Sequence, residues 1–468
     1  MSANDHLRPS AFRRSFETRL SSARPAADGD LSWAPAWRIR DLIAAKAISP
    51  VEVADHFLAR IATLQPQLHA FREVDEDGAR AQARRLEEAV MRGEPLGPLH
   101  GVPLGAKQVL AIKGSLWSDM GRGVVRAEHD SMEIERLRAA GAVIIGPTVA
   151  GLLAREFGDS DRMPLNPWDT ERVCGDSSGG SACAASSAMA PITIGGDGTG
   201  STRAPAAFCG LVGVHPTRGR VPSFEWSTLQ SRPKTTYGPM ARDVRDAATV
   251  LAALAGPDGR DMMCLQDDPP DYLARLEDGA RGLRLAWTED FGFARRFAVE
   301  ETPQVIETVK RAVLRLEAAG AHIEALDLMF EDPFWASNQW TASDVAISAD
   351  YDLGFKPPTR EDVSKARESR RRIWQTFRTL TERNDFILSP TTLEVAPTRR
   401  QWAIDGVPPD FAGPFLAMTA FANLIGWPAV TVPAGLVDGL PVGLQIMGRP
   451  NSEPGIFELA QAFLAAQA

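Results

Sequence analysis

Between Cys174 and Arg220 the chain reads CGDSSGGSACAASSAMAPITIGGDGTGSTRAPAAFCGLVGVHPTRGR. Serine hydroxyls recur there among Gly and Ala, with almost no long charged side chains. A solvated linker would not carry the apolar stretches PITIG and FCGLVGV, so the run reads as buried and closely packed. Glycines let the backbone approach a ligand and take positive φ. The chemistry such a run supports is attack by a serine, and a hydroxyl is a weak nucleophile that needs a base. In the familiar arrangement that base is a His held by an Asp. Of seven histidines, only His100 and His215 stand near the Gly-rich segments, and each also reads as a packing residue. The other candidate base is Lys107 in LHGVPLGAKQVL, where apolar neighbours imply burial. Desolvation lowers a lysine pKa and leaves an amine able to take a proton. A Ser/Lys pair is thus weighed against Ser/His, and against a lone surface lysine. No His or Cys pair has ligand spacing, so no metal site and no cofactor are expected.

The elements that must position these residues alternate between helix and strand. Ser49-Pro50-Val51-Glu52 reads as a capping box opening the amphipathic VEVADHFLARIATL. Helical patterns are predicted for 37–47, 79–92, 133–140, 177–189, 243–254, 303–319, 360–383 and 455–466. Short apolar runs predict strands at 99–109, 142–145, 192–194, 211–214, 283–287, 322–326, 386–388, 430–432 and 442–446. Such alternation indicates an α/β fold with helices on both faces of a sheet. No repeat or low-complexity linker divides the chain, so one large domain is expected over 33–468. Within it the Gly/Ser core spans about 100–222 and a helical insertion about 330–384. The polar, Arg-rich residues 1–32 read as a flexible tail; Arg13-Arg14 is followed by no apolar stretch and does not read as a twin-arginine signal.

Composition bounds the function. The chain has 468 residues, is 44% hydrophobic and carries a formal net charge of −9, which argues against a general nucleic-acid binder. No apolar run reaches the ~18 residues of a membrane span. Four irregularly spaced cysteines suit reduced packing residues and a cytoplasmic setting.

Several separated motifs resemble those of the amidase signature family, serine hydrolases with a Ser–cisSer–Lys triad. Gly175-Asp176-Ser177-Ser178-Gly179-Gly180-Ser181 is similar to its G-G-S-S-G-G-S motif. Asp197-Gly198-Thr199-Gly200-Ser201-Thr202-Arg203-Ala204-Pro205 is similar to D-x-G-G-S-x-R-x-P, with Ser177 and Ser201 twenty-four residues apart as the family pattern requires. Gly101-Val102-Pro103 before Lys107, Asn166-Pro167-Trp168-Asp169, Pro216-Thr217-Arg218-Gly219-Arg220, Gly439 to Gln445 and Gly448-Arg449-Pro450 follow in the family's order. The resemblance covers roughly 35–466. It implies a mixed twisted sheet under helices, with Ser201 as nucleophile and Lys107 as base. Ser177, preceded by a cis peptide bond in the family, would relay the proton. Backbone N–H groups of Gly198, Thr199, Gly200 and Ser201 would form an oxyanion hole, supported by Ser178, Asp197 and Arg203.

The chain departs from the family pattern at Asp176, Thr199, Thr202 and Gln108, and lacks the usual Asn and Glu in Pro147 to Leu152. A positive φ at Thr199 would strain a β-branched residue. The expected activity is hydrolysis of an apolar or aryl amide, with aryl ester or carbamate (urethane) as further substrates. Trp117, Trp226, Trp335, Trp340 and Trp402 are candidates to line such a pocket, though each also reads as core. The alternatives are the glutaminase subunit of an amidotransferase, which needs a charged grip on an amino acid, and a non-catalytic binding protein. Expected partners are a small-molecule substrate, no nucleic acid and no membrane, in a monomer or homodimer.

Overall fold

Local chemistry sets the helix starts. Ser49 Oγ accepts from the Glu52 N–H at 3.1 Å while Glu52 accepts from the Ser49 N–H at 2.8 Å, the reciprocal box that begins Pro50–Leu68. Thr359 and Asp362 form a second such box at the start of Arg360–Leu380. The computed structural model describes residues 31–119, 123–151, 163–175, 177–223, 234–347, 358–399 and 413–467. Most of the expected tail lies outside the described residues; Leu31–Trp33 forms a 3-10 turn with Ser32 buried.

The strands, in chain order, are β1 (Pro103–Lys107), β2 (Leu116–Asp119), β3 (Gly123–Arg126), β4 (Val143–Thr148), β5 (Leu165–Asn166), β6 (Asp169–Val173) and β7 (Ile192–Asp197). They continue as β8 (Val212–His215), β9 (Thr236–Ala241), β10 (Arg284–Trp287), β11 (His322–Ala325), β12 (Phe386–Pro390), β13 (Ala429–Val437) and β14 (Leu440–Met447). Ten of them build one mixed sheet in the order β11-β10-β12-β14-β13-β8-β9-β7-β1-β4. Strands β7, β1 and β4 are parallel neighbours, and β10 is parallel to β11 and β12. The β12–β14, β14–β13, β13–β8, β8–β9 and β9–β7 pairs are antiparallel.

Alternate residues of one strand enter different cores, as a two-sided sheet requires. Ile144 of β4 joins an apolar cluster that runs the length of the sheet, with Leu104, Ile194, Val430 and Leu388. On the other face Val143 and Ile145 pack with Leu58, Ile61 and Met189. Ala286, Ile387 and Ala429 pack with Phe377 and Phe421. Helices Val244–Leu254, Thr302–Ala318 and Glu453–Gln467 supply the first cluster; Pro50–Leu68 and Glu76–Arg92 contribute to the second. The third joins Arg203–Cys209 to Pro333–Ile347 and Arg360–Leu380, the expected helical insertion. Phe330, Phe377 and Phe421 meet ring to ring at 5.2–5.6 Å, which holds that insertion against the helix Ala420–Ile425. The fold is therefore a single α/β domain with both faces of the sheet covered.

Candidate active site

One edge of the sheet collects the chemistry. Parallel β1, β4 and β7 end there at Lys107, Thr148 and Asp197. Two antiparallel steps from β7 give β8 the same sense, so His215 ends on that edge as well. Lys107 is buried, and its Nζ donates to Ser177 Oγ at 2.6 Å and to the Gly196 carbonyl at 3.1 Å. Ser177 stands in the turn just before the wholly buried helix Gly179–Ser186. Ser178 begins that helix; its Oγ accepts from the Gly196 N–H at 3.1 Å and donates to the Gly196 carbonyl at 3.2 Å. Asp176, and with it the peptide bond preceding Ser177, lies outside the described residues.

Ser201 is buried and lies between the end of β7 and the helix Arg203–Cys209. The turns bearing Ser177 and Ser201 lie against the same strand residue. A Cβ added at Gly195 would meet Thr202 Oγ1 at 2.7 Å and Ser178 Oγ at 3.1 Å. Thr199 has no positive φ; that demand falls on Gly200, at φ +138°. A Cβ at Gly200 would sit 2.0 Å from Thr419 Oγ1, so glycine is required by conformation and by space together. The expected strain at Thr199 therefore does not arise. Its carbonyl instead accepts from Thr419 Oγ1 at 2.7 Å, fixing the 198–201 loop from outside.

Beneath the loop lies a buried charge network. Arg203 grips Asp197 with two bonds, Nε to Oδ2 at 2.9 Å and Nη2 to Oδ1 at 3.0 Å, with both side chains excluded from solvent. Arg203 also donates to Gln445 Oε1 and Asn423 Oδ1 at 2.6 Å each, and to the Thr419 carbonyl at 2.9 Å. Asn423 Nδ2 returns bonds to the Asp197 carbonyl and Oδ1 at 2.8 and 2.9 Å. Burial alone would raise the Asp197 carboxyl, but the Arg203 guanidinium outweighs it and holds the group well below the carboxylate range. The loop thus rests on a fully paired ionic plug, the geometry in which a buried ion pair is tolerated.

The histidines do not form the alternative pair. His100 Nε2 lies 3.0 Å from the Leu86 carbonyl. Burial, helped by the Arg203 charge, pushes His215 down to about 3, and neither of its ring nitrogens has a hydrogen-bond partner among the described residues. The remaining motifs are braces. Trp168 Nε1 and Asn166 Nδ2 donate to the Cys209 and Phe208 carbonyls at 3.1 Å each, tying the turn between β5 and β6 to the helix after Ser201. Gln108 Oε1 accepts from the Ala150 N–H at 3.3 Å. Of the tryptophans, Trp117 is buried with its Nε1 donating to Val109, Trp335 is exposed, and Trp340 is half-buried. Trp226 and Trp402 lie outside the described residues. Thr419 and Asn423 were not singled out in the sequence, and Gln445 appeared there only inside a motif. Their signal is contact across more than two hundred residues, which local patterns do not carry.

Known proteins resemble this chain over most of its length. The Amidase family model matches residues 52–361 and 354–457. The glutamyl-tRNA(Gln) amidotransferase A subunit of Roseiflexus sp. (strain RS-1) is 32% identical over 91% of this chain and 94% of that protein. A bacterial aryl acylamidase of the amidase signature enzymes superposes with a TM-score of 0.80 at 26% identity, covering 93% of this chain and 96% of its own. The native peptide amidase of Stenotrophomonas maltophilia gives 0.72 at 27% identity, covering 94% and 97%.

Proposed function

The chain belongs to the amidase signature family, and on that premise we propose that it hydrolyses an amide C–N bond through a Ser201 acyl-enzyme. The observation that carries this reading is the 2.6 Å contact from Lys107 Nζ to Ser177 Oγ, partly buried, with the same Nζ bonded to the Gly196 carbonyl of β7 just before the 198–201 loop. Neutral Lys107 takes the Ser177 proton as Ser177 takes that of Ser201. The Ser201 oxygen adds to the substrate carbonyl, and the N–H groups of the 198–201 loop stabilise the oxyanion. Lys107, now protonated, returns its proton through Ser177 to the departing amine as the C–N bond breaks. Water enters by the same relay, and the acid product leaves with Ser201 restored. The test is hydrolysis by Ser201→Ala, Ser177→Ala and Lys107→Met. Each is expected to lose at least about a hundredfold in kcat/KM, the typical worth of a positioned base. Retained activity in Ser201→Ala removes the mechanism.

Two substrate readings follow from different likenesses. The structural likeness to an aryl acylamidase supports a stand-alone hydrolase of apolar or aryl amides, with aryl esters and carbamates as further substrates. The sequence likeness to the A subunits of amidotransferases is the higher in identity and favours the glutaminase-subunit reading. The purified chain, assayed alone on an anilide, a primary amide, an aryl carbamate and L-glutamine, separates them. Turnover of the anilide without partners supports the first reading; activity confined to glutamine and dependent on added partner proteins supports the second.

A further inference from the structure

The sheet has a second set of parallel strand ends. Strand β14 has the sense of β7, through the antiparallel steps β13, β8 and β9, and β12 is antiparallel to β14. Strands β10 and β11 are parallel to β12, so all three end on the edge opposite to Lys107. The chain leaving β10 enters Thr302–Ala318 on the face of the long apolar cluster. The chain leaving β11 enters Pro333–Ile347 on the face of Phe377 and Phe421. Neighbouring parallel strands whose connections part to opposite faces leave a crevice at their carboxyl ends, the usual ligand position in open α/β sheets. Here it is a cavity of about 190 Å³, with Trp287, Glu289, Lys310, Leu326, Asp327 and Leu328 in its walls. The walls are tied together: the Leu326 and Phe330 N–H groups donate to the Trp287 and Phe291 carbonyls, each at 2.8 Å. A Cβ at Gly292, φ +75°, would sit 2.7 Å from the Leu328 carbonyl oxygen, so this close approach needs glycine. Lys310 Nζ donates to Glu289 at 3.0 Å, and Arg295 holds Glu289 and Asp290 at 2.9 and 2.6 Å. Asp327 is the wall carboxylate with no ion pair among the described residues. Trp287 is 4% exposed, and its buried Nε1 has no hydrogen-bond partner among the described residues. A buried donor left unpaired is costly, and an acceptor on a ligand removes that cost.

We propose that this crevice binds a small cation whose ammonium stands next to an uncharged carbonyl, the chemistry of an α-amino amide. The ligand carbonyl accepts from Trp287 Nε1, the ammonium pairs with Asp327, and a short apolar side chain lies on Leu326 and Leu328. With Lys310 and Arg295 committed to Glu289 and Asp290, no cation is left to match a carboxylate on the ligand. The volume falls below the roughly 300–1,000 Å³ of a drug-sized site, which suits a ligand the size of one amino acid. The crevice lies across the sheet from Ser201, and its binding stands whether or not Ser201 performs hydrolysis.

Calorimetry with L-leucinamide tests the site, in the full-length Ser201→Ala chain so that the amide is not consumed. Leucinamide is expected to bind. L-Leucine, 4-methylpentanamide, which lacks the ammonium, and 3-methylbutylamine, which lacks the carbonyl, should each bind about tenfold more weakly, the worth of one well-made hydrogen bond. Adding Asp327→Asn should weaken leucinamide about tenfold, with partial recovery in Asp327→Glu. Asp327 is exposed, so an unchanged unfolding midpoint for Asp327→Asn is the folding control. In Trp287→Phe, leucinamide and 3-methylbutylamine should bind alike, because the donor that distinguishes them is gone. That comparison is made within one protein, so a change in its stability does not blur it. Leucinamide that fails to bind, or binds Asp327→Asn as tightly, overturns the site. So does leucine binding as tightly as leucinamide, or leucinamide keeping its advantage over 3-methylbutylamine in Trp287→Phe. If leucinamide binding depends on Asp327 while the wild-type chain hydrolyses no amide, the site stands and the hydrolase reading falls.

Discussion

Replacing Arg203 by Met keeps most of the side-chain volume and removes the charge that neutralises Asp197. Five hydrogen bonds vanish, to Asp197 Oδ1 and Oδ2, Gln445, Asn423 and the Thr419 carbonyl. Breaking a buried ion pair from one side costs about 3–5 kcal/mol, because the surviving charge is left without compensation. Each orphaned acceptor adds roughly 1–3 kcal/mol, less at Asp197 Oδ1, which keeps its bond from Asn423 Nδ2. Against a total stability of about 5–15 kcal/mol, a loss near 5 kcal/mol is a large share. The pH dependence identifies the cause. In the wild type the folded Asp197 carboxyl titrates below its unfolded value of about 3.9, so its contribution is full above that value and is lost as pH falls through the folded one. In Arg203→Met the guanidinium charge is gone, and burial, the largest influence on this carboxyl, outweighs the remaining bonds from Asn423 and the backbone N–H groups of residues 202 and 203 and raises the folded value above the unfolded one. The variant's penalty is then greatest at neutral pH and relaxes as the pH drops and Asp197 takes a proton. Urea unfolding followed by tryptophan fluorescence at pH 7.5 and pH 5 should show the gap between wild type and variant narrowing at pH 5. A gap that widens on acidification, or a neutral-pH loss under about 1 kcal/mol, refutes the view of the network as an ionic plug.

Two further outcomes test the loop and the histidine. Gly200→Ala would drive a Cβ to 2.0 Å from Thr419 Oγ1, and kcat/KM should fall at least about a hundredfold. Gly198→Ala meets only Thr235 Oγ1 at 3.1 Å and should lose far less, while Thr419→Val should cost about tenfold in kcat for one buried hydrogen bond; equal losses at Gly198 and Gly200 contradict this reading. His215 stays neutral when folded down to about 3, whereas the unfolded imidazole gains a proton below about 6.5. Stability should therefore fall as pH drops through that window, His215→Leu should flatten the slope with hydrolysis nearly unchanged, and loss of turnover in this variant would restore histidine as a candidate base.

The sequence made the candidate reacting groups legible because each sits in a short run with its own signature. Lys107 closes an apolar strand, and Ser177 and Ser201 lie in glycine-dense turns next to buried segments. Helix placement was also readable where a cap and amphipathic spacing coincide, as at Ser49. Three things were not. Strand β9, TYGPMA, carries Gly and Pro and is absent from the predicted strands, yet it is a fully buried strand between β7 and β8. The helix Arg203–Cys209 is too short for helical periodicity to appear and is held by tertiary contact. The expected helix over 177–189 is shorter, Gly179–Ser186, because Ser177 and Ser178 are spent on the turn that faces Lys107 and β7. The residues bracing the 198–201 loop, Thr419, Asn423 and Gln445, arrive from strands and helices laid down over two hundred positions later.

The rate at which a fluorophosphonate labels the protein, with the modified residue located by mass spectrometry, bears most directly on the proposed proton relay from Ser201 through Ser177 to Lys107. Label confined to Ser201, and slowed at least about a hundredfold in both Ser177→Ala and Lys107→Met, is the expected result. Undiminished labelling of Lys107→Met, or label on any other side chain, would contradict it.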